Sequence, residues 1–328
     1  MSKLYKNLLS LLEEKLGFFT TFHKRPVRSK DCKFFLNKPF FKNRFFIVIQ
    51  GPVITDHDFT LETVRIYKKT FPDADIVLST WDDSDLTYIE KIKAEKISIL
   101  LNSKPVNFGI SNINLQIVSS LAGVRYAKQS GAEYVLKTRT DQRMYASNVQ
   151  DFLVNIVNNF PVHNNNKQTK RIVAVSLNTF MFRPYSLSDM NIFGHVDDML
   201  LFWDVQLDDR KKTDTKVSLL EWSKLRLCEV YLVSNFLEKI GCKLTWTLTD
   251  YWRVLSDNFC IVDQSSIDLY WYKYERFKER RHVDYKVVKT DSEVYFKDWL
   301  YLYNCNKNDI VAPEDVTSYN FNEEYYVK

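Results

Sequence analysis

The chain has 328 residues with 45% hydrophobic and 15% aromatic content, which describes a globular protein able to bury a large core and excludes a disordered one. Only 7 residues are glycine, so no G-x-G-x-x-G or Walker loop is present, and any phosphate must be held without a glycine cradle. The net charge of +5 is uneven: residues 1–44 hold eleven Lys and Arg against three acidic residues, a net +8, leaving the remainder at −3.

Leu4, Leu8, Leu11 and Leu12 stand at helical spacing, and Pro26 and Pro39 mark an irregular stretch after them. This basic, Phe-rich arm, residues 1–44, suits contact with anionic headgroups at an inner-leaflet membrane surface. The plainer alternative is a solvated extension that packs on its own domain. No DNA- or RNA-binding motif is present, so nucleic acid is not an expected partner. The five cysteines form no C-x-x-C pair and no signal peptide opens the chain, so a cytoplasmic protein with reduced thiols is expected, peripheral to the inner membrane if the arm binds lipid. No segment approaches the roughly 20 apolar residues of a bilayer span.

From residue 45 the pattern is α/β. Phe45–Ile49 is a continuous apolar run, the mark of a strand buried on both faces, and it ends at Gln50-Gly51-Pro52. Thr55–Thr70 is predicted helical, with Leu61, Val64 and Tyr67 inward. Asp75–Thr80 is a second strand ending at Trp81-Asp82-Asp83, and Lys96–Leu101 a third. Asn112–Ser130 is a helix with Ile117, Val118, Leu121 and Val124 as its buried stripe, stopped by Gly131. Glu133–Lys137 is a fourth strand, followed by a helix near 147–159 and a strand at Arg171–Ser176. A further strand is assigned to Asp189–Gly194, and one long helix to Leu219–Ile240.

Strands alternating with helices imply βαβ units and a mostly parallel sheet flanked by helices, with a helix-rich C-terminal region. The expected division is a 45–328 domain with a donor-binding half, 45–205, and an acceptor-side half, 206–328. Ligands of such sheets bind beyond the carboxyl ends of the strands. That rule selects Gln50, Gly51 and Pro52, then Trp81, Asp82 and Asp83, and then Arg139 to Arg143; Lys137, in the strand before them, is a further donor-contact candidate.

Asp141 is the sharpest candidate. It follows a buried strand and is flanked at spacing two by Arg139 and Arg143, so an extended segment would put all three side chains on one side. A lone carboxylate there suits one position of Mn²⁺ or Mg²⁺, and the arginines suit phosphate oxygens. The alternative is a surface turn in which Asp141 pairs with its own arginines. Asp82 suits ribose hydroxyls or a helix cap. Asn112, Asn114 and Gln116 surround a helix N-terminus, one of them as a cap and the others toward a donor. Glu229, four residues from Leu225 and Val233 and seven from Trp222 and Phe236, lies on an apolar helix face, where a carboxylate becomes either a general base or half of a buried ion pair. Asp189 is the second base candidate. No two of the five histidines have zinc-ligand spacing on one helix; His282 alone is a weak candidate for a diphosphate contact.

Asn112-Ile113-Asn114-Leu115-Gln116-Ile117-Val118, then Ala122-Gly123, then Gly131-Ala132-Glu133-Tyr134-Val135-Leu136-Lys137-Thr138-Arg139-Thr140-Asp141, resembles the WavE lipopolysaccharide synthesis family. Gln50-Gly51-Pro52, Leu78-Ser79-Thr80-Trp81 and Ser188-Asp189 with Phe193-Gly194 fit the same resemblance, which covers roughly residues 45–240. It implies a GT-A-like, Rossmann-like fold and a glycosyltransferase that joins a nucleotide-sugar to a glycan or glycolipid acceptor of lipopolysaccharide, lipooligosaccharide or capsule. In the Asp-x-Asp motif of GT-A enzymes the first Asp is replaced here by Arg139, and only Asp141 matches, which puts metal dependence in question. Two alternatives stay open. One is a nucleotidylyltransferase on a similar sheet, against which the missing glycine-rich, Lys-containing loop argues. The other is a degenerate transferase acting as a scaffold, for which the lost first Asp argues.

Overall fold

The computed structural model describes residues 23–35, 43–162, 167–211, 217–275 and 292–306, with a few positions outside these ranges. Leu4, Leu8 and Leu12 of the predicted N-terminal helix, most of the basic arm, His163 and His282 lie outside the described residues.

A seven-stranded sheet forms the centre, in the order β3-β2-β1-β4-β7-β6-β9. Its strands are β1 (Phe45–Gln50), β2 (Asp75–Trp81), β3 (Ser98–Asn102), β4 (Tyr134–Arg139), β6 (Ile172–Val175), β7 (Ile192–His195) and β9 (Phe259–Val262). All pairs are parallel except the two made by β7, which runs against both β4 and β6. Six of these strands form at the apolar runs that predicted them, because continuous Val, Ile and Phe suit a sheet covered on both faces; β9 was not predicted. β1 is buried at all six positions. The last named strand, β9, comes from the 206–328 half, so both halves contribute to one sheet.

The helices that cover the sheet are α1 (Phe59–Thr70), α2 (Leu86–Lys93), α3 (Ile113–Gln129), α4 (Val149–Asn159) and α5 (Val196–Trp203). α3 packs on β1 and β2 and against α5. Its buried face is Ile113, Ile117, Ser120, Val124 and Ala127. Val118 and Leu121, expected in the stripe, are only half-buried. Gly123 is the point of closest approach: a Cβ there would stand 2.3 Å from Val48 Cγ1.

The predicted 219–240 helix is two helices, α6 (Leu219–Arg226) and α7 (Cys228–Lys239). Leu227 between them is extended, with φ −92° and ψ 126°. Nothing in the local propensity breaks this run; tertiary packing of α7 on α5 sets its axis. Beyond it lie α8 (Leu248–Asn258), α9 (Tyr272–Glu275) and α10 (Phe296–Asn304), the last packed on α8 and β9. Four short strands complete the set: β5 (Gln142–Met144) pairs antiparallel with β10 (Leu269–Trp271), and β8 (Val217–Ser218) with β11 (Glu324–Tyr325). Among the described residues no helix is long and apolar enough to cross a membrane.

Candidate active site

The carboxyl ends of β1, β2 and β4 form one rim, and the register fixes which side chains meet there. Gln50, the last residue of β1, pairs with Ser79 on one side and Arg139 on the other. Gly51 then turns the chain with φ +121°, its N–H donating to Ser79 O at 3.1 Å. A Cβ at Gly51 would lie 2.9 Å from Thr140 Oγ1, and Thr140 N–H donates to Gln50 O at 2.9 Å. The turn after β1 is therefore stitched to the turn after β4. The Gln50 side chain is buried, and its Oε1 meets no donor among the described residues. Pro52 is exposed beside it.

Arg139 and Asp141 form a bidentate pair across the turn: Nε donates to Oδ1 at 2.8 Å and Nη2 to Oδ2 at 3.1 Å. Trp271 of β10 adds an Nε1–H bond to Asp141 Oδ2 at 3.1 Å, and its ring lies 5.8 Å from the guanidinium carbon. Burial alone would raise the Asp141 pKa, but the Arg139 charge and these bonds outweigh it and hold the carboxyl below its usual range. Burial likewise opposes the Arg139 charge, and Asp141 more than compensates, so Arg139 is raised.

Arg143 does not join this pair. The chain turns at Thr140 and Asp141 between β4 and β5, the two-residue alternation is broken, and Arg143 enters the opposite face. It is fully buried, donating to Thr63 Oγ1, Val27 O, Tyr145 OH and Phe59 O, with its guanidinium 4.1 Å over the Phe59 ring. It ties the 23–35 segment to α1 and is not placed to hold a donor.

Lys137 shares a face with Arg139 but is also sealed from solvent. Its Nζ donates to the backbone O of Asp189 at 2.8 Å and lies 4.7 Å from the Trp203 ring centre. Burial pulls its pKa down to about 7, against the opposing charge of Asp189. It supports Asp189 rather than reaching a donor. Asp189 precedes β7, is 4% exposed, and its Oδ2 meets no donor among the described residues.

Glu229 in the first turn of α7 is partly buried. Burial first, and then the charge of Asp189, raise its pKa. The Cys228 thiol lies 3.3 Å from Glu229 Oε2 and is pushed well above its usual value by burial and the same two carboxylates. Glu229 thus lies within reach of the Asp189 charge. With the helix broken at Leu227, Trp222 sits on α6 and is not part of a continuous Glu229 face; it stacks with Arg183, whose charge in turn reaches Glu229.

The other expected donor contacts divide. Asp82 is exposed just past β2, its Oδ2 accepting from Ser103 Oγ at 2.6 Å; the helix cap nearby is Asp85. Asn114 is buried and fully engaged, donating to Asn107 O and Asp208 O and accepting from Asp208 N–H, so it braces two loops and faces no donor. Asn112 occupies the cap position of α3 without a side-chain bond. Gln116 is half-buried, with its Oε1 unmet among the described residues.

Trp271, Cys228 and Arg183 escaped the sequence reading. The aromatic run Leu269–Tyr272 is a signal, but no spacing rule links it to Asp141, 130 positions away. A groove of about 510 Å³ lined by Arg28, Lys30, Asp58, Glu62 and Arg65 is a separate feature, crossed by its own Arg28–Asp58 and Arg65–Glu62 ion pairs.

In this pairing Asp141 is not set for a divalent cation: both of its oxygens already accept hydrogen bonds, the cationic Arg139 stands beside them, and among the described residues no three His, Cys, Asp or Glu side chains are grouped to hold a metal.

A mostly parallel sheet with one reversed strand, carrying a charged cluster on its carboxyl rim, defines an α/β protein of the GT-A-like class. The chain belongs to the WavE lipopolysaccharide synthesis family, whose model matches residues 45–326. Among curated proteins no relative matches. Solved structures to which it is similar include a cytidylyltransferase from Leptospira borgpetersenii serovar Hardjo-bovis (strain JB197), at 12% identity and TM-score 0.32, covering 50% of this chain and 66% of that one. S. aureus TarS is similar at 11% identity and TM-score 0.36, over 65% and 38% of the two chains. Mouse xyloside xylosyltransferase 1 is similar at 8% identity and TM-score 0.31, over 68% and 86%. The chain thus spans less than two thirds of the first two, and no activity is carried over from any of them.

Proposed function

We propose that the chain transfers one sugar from a nucleotide-sugar donor to a hydroxyl of a bacterial surface glycan, the family's lipopolysaccharide being the first acceptor to test. The observation that carries this reading is the meeting of opposite charges: a guanidinium held by Asp141 lies within reach of the Asp189 charge, which also acts on Glu229.

The chemistry follows from the charges. The acceptor oxygen bonds to the anomeric carbon while the bond from that carbon to the diphosphate oxygen breaks, its electron pair leaving with the diphosphate. Arg139 faces the negative charge that grows on that leaving group. The acceptor proton passes to Glu229 or Asp189; the Glu229 carboxylate, raised by burial and a like charge, is a stronger base than an exposed one. Gln50 and Gly51, with Asp82 further along the rim, are left for the nucleoside, where the buried Gln50 Oε1 has no donor among the described residues. Buried polar atoms without partners are uncommon, and a ligand is one way to satisfy them.

Incubation with a panel of nucleotide-sugars tests the reading by the slow release of nucleoside diphosphate. Release from at least one donor, lost in Glu229→Gln, is the expected result. No release from any donor, together with no thermal shift by any nucleoside diphosphate, leaves a scaffold in its place.

A further inference from the structure

We infer that Arg139 takes the place of a divalent cation at the donor's diphosphate, so that donor binding and sugar transfer proceed without a metal ion. This deepens the proposed transferase reading and rests on it.

A guanidinium carries about five N–H donors in a planar fork. Arg139 gives Asp141 two of them, one from Nε and one from Nη2. The remaining donors, on the Nη1 and Nη2 edge, form the face that matches two phosphate oxygens. The plane of that fork is fixed twice over. Asp141 holds its inner edge, and the Trp271 indole both lies against the guanidinium and anchors Asp141 Oδ2 through Nε1–H. Asp141 is thus a positioning residue for a cation that the chain itself supplies. Register places Gln50 alongside Arg139, so a diphosphate on the fork lies next to the turn left for the nucleoside.

A metal ion at Asp141 would compete with Arg139 for the carboxylate oxygens and stand as a second positive charge beside a guanidinium only 24% exposed. Freeing one member of such a pair is strongly unfavourable. In the transfer step the diphosphate departs with the electron pair of the broken bond, and the fixed positive charge of Arg139 offsets it without any change in coordination.

The test uses the whole chain with UDP, GDP, CDP and CMP, read by calorimetric Kd, and with the corresponding nucleotide-sugars, read by donor hydrolysis, each in EDTA and in excess Mn²⁺ or Mg²⁺. The expected result is a Kd and hydrolysis rate for the preferred nucleotide that agree within about threefold in EDTA and in metal, while Arg139→Lys weakens binding by roughly tenfold or more because an ammonium lacks the fork. Far-ultraviolet circular dichroism confirms that the variant is folded. Should Arg139→Lys fail to fold, the EDTA comparison on the unaltered chain decides alone. Binding or hydrolysis that disappears in EDTA and returns with Mn²⁺ overturns the inference and leaves the transferase reading standing. Failure of every nucleotide to bind in either buffer overturns both.

Discussion

The ammonium of Lys137 donates to the backbone carbonyl of Asp189 at 2.8 Å, with no exposure to solvent. The bond joins the strand that ends at Arg139 to the segment that presents Asp189. The cost of burying this charge is visible in a pKa of about 7.

That value fixes a pH dependence. The folded pKa lies below the unfolded value of 10.5, so between about pH 7 and 10.5 the unfolded chain binds the extra proton and this group's destabilising effect fades as pH rises. Below about pH 7 the effect is fully present. Lys137→Met removes it, so the stability of the variant relative to the unaltered chain should fall as pH rises from 6 to 9.5. Urea midpoints at three pH values measure this; a pH-independent difference would contradict the buried amine.

Glu229→Gln should lower the rate of transfer about 10²–10⁴-fold with donor Kd little changed, the range expected for loss of a general base. Asp189→Asn tests the coupling. Asp189 raises the Glu229 pKa by like-charge repulsion, so its neutral replacement lets Glu229 ionise at lower pH. The acid limb of the residual kcat/KM profile should therefore move to lower pH. An unmoved limb would separate the two carboxylates.

Arg143→Met should act on stability and not on binding. It removes donors to three backbone carbonyls or hydroxyls and to Thr63, leaving buried acceptors unmet at a cost of about 2–4 kcal/mol. Denaturant unfolding measures the loss, and nucleotide Kd should stay within about twofold, since small local changes far from a ligand leave its contacts intact. Weakened binding in a fully stable variant would return Arg143 to the site.

Gly123→Ala places a methyl 2.3 Å from Val48 Cγ1, inside contact distance between α3 and β1. Overpacking of this kind costs about 1–3 kcal/mol, which a thermal melt resolves. A neutral or stabilising effect would show that the helix can lift from the strand freely.

The sheet was legible because its strands are continuous apolar runs: Phe45–Ile49 and Asp75–Thr80 coincide with β1 and β2 to within a residue. The reversed direction of β7 was not legible, since an apolar run carries no sign. The break at Leu227 was hidden for a related reason: leucine favours a helix, and only the docking of α7 on α5 overrides it. In the site, Asp141 and Arg139 could be found from their place after a buried strand. Arg143 misled because counting by twos holds only while the strand continues, and the turn at Thr140 ends it. Asn114 misled because a helix N-terminus serves loop bracing as readily as a ligand. Trp271 was out of reach, because its bond to Asp141 depends on the β5–β10 pairing and on no local pattern.

A crystal structure with the tightest-binding nucleoside diphosphate tests the central claim most directly. The account predicts phosphate oxygens within hydrogen-bond distance of Arg139 Nη1 and Nη2, the nucleoside along Gln50 and Gly51, and the Arg139–Asp141 pair intact. A nucleotide seated instead among Arg28, Lys30 and Arg65, or an Arg139 swung away from Asp141 with a metal ion in its place, would contradict it.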